Sequence, residues 1–394
     1  RARLPAYAEL PELTPEADVF AWLQQHCQII AKPDVIGGRA RYYPNGGRRL
    51  PWWPLGKTSG TSGSPLEVFR SVDSVIWEEA FQLQAWDWAG FHVGDAQAVL
   101  RGDQIVPSDR EVPPFWLWDR FGRQLFLSTR HVNRQHARAM LDALAEARVS
   151  MLRAYPSAVY EFARLAEQLG HGLRLPAVVT GSEPPFSVQR EQLERSFGCK
   201  VFDFYGMAER VAYAAQCEHG QYHLNTDYSW VEILDEAGRP TDDFGFVVGT
   251  TLHNRVMPLL RYRTSDRARW VKGQCGSGRS YPAIELSSGK VEDQLFDAEG
   301  TPISASIITI AFKGLARIRK AQVAQIDRGL WEVRVQPDPG FGAADGQALI
   351  DNIASYVTRK IDVRLAVVDD IAPLPSGKFK WVSQEWRHPC PEAG

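Results

Sequence analysis

Four short stretches combine residue types that could handle a phosphate ester and an activated acid. The first is Thr58-Ser59-Gly60-Thr61-Ser62-Gly63-Ser64-Pro65. Glycines let a backbone come close to phosphate, and hydroxyls and free N–H groups donate to its oxygens. No Gly-Lys-[Ser/Thr] follows, so this is not a Walker loop. Alone, it reads as readily as a flexible surface loop. The second is Phe202-Asp203-Phe204-Tyr205-Gly206-Met207-Ala208-Glu209, an apolar strand ending in Tyr-Gly with a carboxylate following. The ring could stack on a base and the carboxylate could hold Mg²⁺ on a phosphate. A capped strand-to-helix turn explains the pattern equally well. In the third, Arg261-Tyr262-Arg263-Thr264-Ser265-Asp266, the Asp266 carboxylate could accept both hydroxyls of a ribose. A salt bridge among Arg261, Arg263 and Asp266 is the alternative. The fourth is Pro373-Leu374-Pro375-Ser376-Gly377-Lys378, a loop ending in an ammonium. With an ordinary pKa of about 10, that ammonium stays charged and can stabilise a developing anion. A lone lysine is more often merely solvated.

A separate group, Cys217, His219, His223 and Cys275, supplies nitrogen and sulfur donors that could converge on a structural Zn²⁺. Buried free cysteines with surface histidines are the plainer alternative. The chain has five cysteines, widely spaced and without Cys-x-x-Cys, so a reducing, cytoplasmic setting is expected. Trp116, Trp118, Phe121 and Phe126 could wall an acyl pocket, although core packing is the simpler expectation.

These residues need elements to position them. Helices are predicted over 17–32 and, from the spacing of Trp77, Phe81, Ala85 and Trp88, over 73–88. From residue 96 to 204 strand-like runs (97–101, 150–154, 177–180, 200–204) alternate with helical ones (134–147, 158–168, 188–197). Asn133 and Ser157 are the expected N-caps and Gly170 the expected stop. Such alternation predicts βαβ units and a mostly parallel sheet, whose ligands sit beyond the C-terminal strand ends. After Gly220 strands at 230–234, 246–252 and 259–262 are expected. Beyond a boundary at Ser287-Ser288-Gly289-Lys290, strands at 331–335 and 363–368 flank a helix marked by Leu349, Ile353 and Val357. The expected fold is therefore α/β. A large N-terminal domain (1–289) would hold the parallel sheet and a β-rich subdomain, and a small α+β C-terminal domain (290–394) would follow.

The chain has 394 residues, 44% of them hydrophobic and 23% charged, with a net charge of −2. That composition argues for a folded protein and against disorder. No basic excess or patch points to nucleic acid. The longest apolar stretch, around 303–312, is interrupted by serines and too short for a bilayer, so no membrane partner is expected.

Taken as an ordered set, the motifs resemble the adenylate-forming acyl-/aryl-CoA ligase superfamily. The set runs through the hydroxyl/Gly loop, Tyr-Gly-x-x-Glu, Tyr-x-Thr-x-Asp, Gly-Lys-Val-Glu-Asp and a terminal Pro-Ser-Gly-Lys. Ala154-Tyr155-Pro156-Ser157, Thr180-Gly181-Ser182-Glu183-Pro184 and Cys217-Glu218-His219-Gly220-Gln221-Tyr222-His223 narrow the resemblance to the phenylacetate–CoA ligase and capsule-biosynthesis adenylyltransferase branch. It implies an ATP-dependent ligase that activates a carboxylic acid, aryl or arylacetic, as an acyl-adenylate and passes it to CoA. Transfer to a carrier-protein thiol or an amine is the rival, and a non-catalytic nucleotide-binding scaffold is the rival of another class. ATP, Mg²⁺ and CoA are the implied cofactors; a homodimer is left open. By the same resemblance Thr58, Ser59, Gly60, Thr61, Ser62 and Gly63 hold the ATP phosphates, with Thr61 leading. Gly181, Ser182 and Glu183 line adenine. Asp203, Phe204, Tyr205 and Gly206 border the nucleotide, with Tyr205 stacked on the base. Glu209 binds Mg²⁺, Asp266 the ribose, and Lys290 and Glu292 form a hinge. Lys378 bridges the acid and the α-phosphate. Three departures stand out. Leu66 and Glu67 follow the loop where many relatives place a basic residue, Ser265 replaces Gly, and Lys290 replaces a bidentate Arg.

Overall fold

A computed structural model describes residues 4–58, 66–182, 187–286, 295–300, 302–303, 317–337, 339–357, 361–371 and 382–386. The chain divides into two compact units. The first contains residues 4–58, 66–93 and 202–286. Its sheet runs, neighbour to neighbour, through Ser229–Leu234, Gly245–Thr251, Tyr262–Trp270, Ala283–Leu286, Tyr222–Leu224, Tyr213–Gln216 and Lys200–Gly206. The pairings along this path are antiparallel. Ile30–Ala31 adds to Tyr262–Trp270 in parallel. Val35, Tyr43, Leu66, Phe69, Val211, Met257 and Tyr262 form one buried core beneath it. Each fully buried side chain of this size contributes roughly 1.5–3 kcal/mol through burial. Gly249 is dictated by packing, because a Cβ there would stand 2.0 Å from the Val211 carbonyl oxygen.

Two further elements of this unit matter for function. The hairpin Leu55–Lys57/Glu67–Phe69 is antiparallel and is closed at its neck by Thr58 and Leu66. Thr58 N donates to Leu66 O at 3.0 Å, and Leu66 N donates to Thr58 Oγ1 at 2.9 Å. The helix Val72–Trp88 starts at Ser71, whose hydroxyl accepts from Ser74 N at 3.2 Å. It matches the predicted 73–88 helix. Phe81 is buried, whereas Trp77 stacks on His253 in a half-exposed position.

The second unit contains residues 94–201 and the described residues from 295 onward. Gln97–Arg101 pairs in parallel with both Gln124–Ser128 and Met151–Ala154, and Met151–Ala154 pairs in parallel with Ala177–Gly181. Helices Ala137–Ala147, Pro156–Gln168 and Ser187–Phe197 alternate with these strands, as expected. Gly170 ends its helix in the left-handed region that favours glycine. In the C-terminal sheet, Ile318–Asp327 and Leu330–Pro337 form an antiparallel pair. Asp362–Val367 and Val382–Gln384 flank it in parallel. Trp331, Val333, Val335, Leu349 and Ile353 fill its core. The α/β class with a separate C-terminal sheet thus agrees with expectation. No helix among the described residues is long and apolar enough to cross a membrane.

Several local expectations fail for identifiable reasons. The first helix covers Val19–His26 and stops at Cys27, whose backbone turns extended. The Gln24 and Cys27 carbonyls are taken instead by the Arg261 guanidinium. The strand expected at 259–262 begins only at Tyr262, because Arg261 lies in the left-handed region. Ser157 is not an N-cap: Tyr155 occupies that place and Pro156 opens the helix, where its missing N–H costs nothing. Asn133 caps a preceding turn, accepting from Gln135 N and His136 N, rather than the helix itself. Trp118 and Phe121 are exposed on the edge hairpin, whereas Trp116 is partly buried against the core of the second unit, so the aromatic stretch 116–126 packs as a core only in part.

Candidate functional site

The strand Lys200–Gly206 and the turn after it carry the second motif into the first unit. Tyr205 lies opposite Ala214 on the neighbouring strand, and the Tyr205 hydroxyl donates to Asp266 Oδ2 at 2.9 Å. From the strand Tyr262–Trp270, which also carries Asp266, the Tyr262 hydroxyl donates to Glu209 Oε1 at 3.0 Å. Asp266 is held further by its own N–H, which donates to Thr264 Oγ1 at 3.1 Å. The second and third motifs therefore meet as two tyrosine–carboxylate pairs.

Burial, and then the adjacent carboxylates, push both phenols well above the ordinary tyrosine range, so they remain donors at neutral pH. Burial also raises the Glu209 carboxyl, with Tyr262 and Lys32 working in the opposite direction. Lys32 is in turn lowered by burial, while Glu209 favours its charged form. Lys32 was not singled out from the sequence. It stands at the first position of a short helix, outside every motif, and carries no local signal.

Asp203 is buried and accepts a short hydrogen bond from the Tyr222 hydroxyl. Phe204 packs beside Tyr213, and Gly206 pairs with that residue across the sheet. Thr58 closes the neck of the hydroxyl/Gly loop. Ser59, Gly60, Thr61, Ser62, Gly63, Glu183, Lys290, Glu292 and Lys378 lie outside the described residues. Gly181 ends a strand of the second unit, and Ser182 follows it with φ 72°, a strained value for a non-glycine residue. The salt bridge considered for the third motif does not form. Arg261 instead makes a buried bidentate pair with Glu232, at 2.9 and 3.0 Å, and Arg263 lies over the Phe246 ring.

The oxygen-rich composition around Glu209 and Asp266 suits a hard divalent cation such as Mg²⁺, which is usually bound through one or two carboxylates plus substrate phosphates. The Cys/His group is different. Cys217 Sγ and Cys275 Sγ stand 3.6 Å apart as free thiols, and the ligand atoms of Cys217, His223 and Cys275 lie within 4.8 Å of one another. Two sulfurs on one tetrahedral zinc, at Zn–S of about 2.3 Å, would stand about 3.8 Å apart. His223 Nδ1 donates to the Tyr281 carbonyl at 3.0 Å, which leaves Nε2 available as a ligand. Burial alone would raise the Cys275 thiol, yet its polar neighbours Ser277, His223 and Cys217 bring it down to about 6. His219 does not join this trio. Its N–H donates to Cys217 Sγ at 3.4 Å and its ring lies towards Gly276. The four-residue set of the sequence reading thus converges as three. A cleft of about 460 Å³ in the second unit, lined by Leu144, Arg148 and His171–Pro176, holds none of the motif residues.

Known proteins resemble this chain in both sequence and shape. A family model described as the CapK C-terminal domain matches residues 295–385. Protein CapK of Staphylococcus aureus is 20% identical over 213 residues, 53% of this chain and 46% of that protein. Phenylacetate-coenzyme A ligase of Thermus thermophilus is 29% identical over 228 residues, 52% of this chain and 51% of that one. The Escherichia coli protein of the same name is 31% identical over 147 residues, 33% and 32% of the two chains. The chain thus spans about half or less of the length of these curated relatives. A solved 2-hydroxyisobutyryl-CoA ligase, in complex with its acyl-AMP and CoA, superposes with a TM-score of 0.60 at 18% identity. The match covers 98% of this chain and 86% of that one. The resemblance drawn from the motifs therefore holds: the chain is similar to phenylacetate–CoA ligases and CapK, and its fold is that of the adenylate-forming acyl-CoA ligases.

Proposed function

We propose that this chain activates a carboxylic acid, aryl or arylacetic, by attack on the α-phosphorus of ATP. The acid oxygen forms a bond to phosphorus as the bond to pyrophosphate breaks, giving an acyl-adenylate. A CoA thiol then attacks the acyl carbon, releasing AMP and a proton. The observation that carries the reading is the meeting of Glu209/Tyr262 with Asp266/Tyr205 in one unit.

A carboxylate and a triphosphate repel each other, so the protein's contribution is positioning and charge neutralisation. Mg²⁺, when bound, would neutralise phosphate charge, with Glu209 as its protein ligand. Tyr262 keeps the Glu209 carboxylate oriented by a charge-assisted hydrogen bond. Asp266, aligned by Tyr205 and Thr264, would accept the ribose hydroxyls. On this reading the Thr58–Gly63 loop cradles the phosphates, Gly181, Ser182 and Glu183 border the base, and Lys378 reaches the acid and α-phosphate. Lys378 would be carried by the 290–394 domain, turning about Lys290–Glu292. Cys217, His223 and Cys275 would hold a structural Zn²⁺, a role their donor set fits.

The test is direct. With ATP, Mg²⁺ and a panel of acids, pyrophosphate release should accompany acyl-AMP formation, and CoA should consume the adenylate. Release of adenylate that CoA leaves untouched would move the assignment to a carrier-protein thiol or an amine. Absence of pyrophosphate with every acid would leave a nucleotide-binding scaffold.

A further inference from the structure

Two arginines lie beneath the Glu209 turn, and neither belongs to a motif. Arg210 follows Glu209 directly and adopts φ 59°, the left-handed region that a non-glycine residue enters only when something holds it there. What holds it is visible. Arg210 Nη1 donates to the Ser74 carbonyl at 2.8 Å, and Nε lies 3.4 Å from Glu78 Oε2, with both side chains largely buried at 12% and 16% exposure. Glu78 is fixed by the Tyr228 hydroxyl, which donates to the same oxygen. The second cation, Arg70, donates from Nη2 to the Ala208 carbonyl at 2.8 Å. Its guanidinium also lies across Gly56, where a Cβ would stand 2.3 Å from Nη2. Gly56 belongs to the hairpin that carries the hydroxyl/Gly loop.

We propose that Arg70, Arg210 and Glu78 form a clamp that fixes the Glu209 turn against the hairpin Leu55–Lys57/Glu67–Phe69 and the helix Val72–Trp88. Arg70 joins the hairpin to the residue before Glu209, while Arg210 and Glu78 lock the residue after it onto the helix Val72–Trp88. The three are positioning residues, since they act through the Glu209 turn. The loop is followed by Leu66 and Glu67 rather than a base, and Glu67 pairs across the hairpin with Lys57 at 3.2 Å and with Arg39 at 3.3 Å. A buried ion pair such as Arg210–Glu78 does little for net stability but is costly to break on one side, which suits a device that fixes geometry.

This inference rests on the reading of Glu209 as the metal carboxylate, and the experiment separates the two. Mn²⁺ binding, in the presence of a non-hydrolysable ATP analogue, is followed by electron paramagnetic resonance for the full chain and for E209Q, E78Q, R210G, R210K and R70K. The Arg269–Glu285 pair is exposed, so R269A serves as control. Glu209→Gln should weaken Mn²⁺ at least tenfold; unchanged affinity there would sink the metal assignment and the clamp with it. R210G relieves the backbone strain and deletes the guanidinium. It should weaken Mn²⁺ five- to tenfold and raise the Mg²⁺ needed for half-maximal pyrophosphate release, while the KM for the acid stays within twofold. R210K should recover most of that loss. If R210G does not fold, E78Q decides, with the same five- to tenfold loss expected. With E209Q impaired, wild-type Mn²⁺ affinity in R210G or E78Q would overturn the clamp and leave the functional reading standing. So would a lowered melting temperature without a change in metal affinity per folded molecule.

Discussion

The two donor clusters of the first unit grow from the same antiparallel sheet but are built on opposite chemical principles. Around Glu209 and Asp266 every donor is oxygen, and each carboxylate is oriented by a buried phenol. Around Cys217, His223 and Cys275 the donors are sulfur and nitrogen, and one imidazole is oriented by a backbone carbonyl. Hard oxygen donors with spare coordination suit a cation that arrives with a substrate and leaves with a product. A tight N/S trio suits a metal that stays and cross-links strands. On the proposed reading one sheet would carry a site for turnover and a site for cohesion, and variants should separate them cleanly.

The largest separation is expected from the oxygen cluster. Glu209→Gln should lower the rate of pyrophosphate release by about 10²–10³, the scale for losing one directed electrostatic contact. The metal content of the Cys/His cluster, read by elemental analysis, should not change. Lys378→Ala should do comparable harm to adenylation while leaving nucleotide binding intact. If it kept the full rate, the role given to Lys378 would be wrong. At the other cluster, Cys275→Ser should lose zinc and lower the melting temperature by roughly 5–10 °C, the effect of about 2–3 kcal/mol in a unit of this size. Adenylation per folded molecule should hold. A drop in turnover matching the E209Q drop would break the division of labour between the two clusters.

Why one cluster was easier to read than the other is instructive. Glu209 and Asp266 sit inside linear motifs whose order survives in sequence, so their meeting was legible before any fold was known. Their tyrosine partners were legible only as motif letters. That Tyr262, rather than Tyr205, would hold Glu209 depends on how Tyr262–Trp270 lies in the sheet, which no local pattern encodes. The Cys/His group was legible as a composition, but its membership was not. His219 and His223 lie four residues apart, and only the pairing of Tyr222–Leu224 with Ala283–Leu286 selects His223 for the interior. Three of the four parallel strands of the second unit are legible, because buried strands and amphipathic helices differ strongly in period, whereas Gln124–Ser128 is not. The antiparallel sheet was read less well. Its short strands begin and end at residues such as Arg261, whose left-handed backbone is imposed by a distant partner, Glu232.

A middle-sized effect sharpens the role of the phenols. Tyr262→Phe removes a hydrogen bond to a charged group, worth about 1.5–3 kcal/mol, so the Mg²⁺ requirement for pyrophosphate release should rise roughly tenfold. Tyr205→Phe should act instead on the KM for ATP, through Asp266. Equal effects of the two variants on both quantities would mean that the pairs do not have separate duties.

The smallest effect follows from the sign of the Glu209 shift. Burial raises this carboxyl above the ordinary value of 4.5, so the folded protein holds the proton more tightly than the unfolded chain does. Its contribution to stability is therefore full below about pH 4.5. It is lost as pH rises through the higher folded value, because the buried carboxylate must then carry its charge. In metal-free protein E209Q removes that cost, and its melting temperature at pH 7 should exceed that of the wild type by roughly 1–3 °C. The gap should close as pH falls towards 4. Cys275→Ser should show no such crossing, since its loss is one of cross-linking rather than of a carboxyl held against its charge. A melting temperature for E209Q that stays below wild type from pH 4 to pH 7 would mean that Glu209 is part of the cohesion of the sheet, and the contrast between the two clusters would fail at its sharper end.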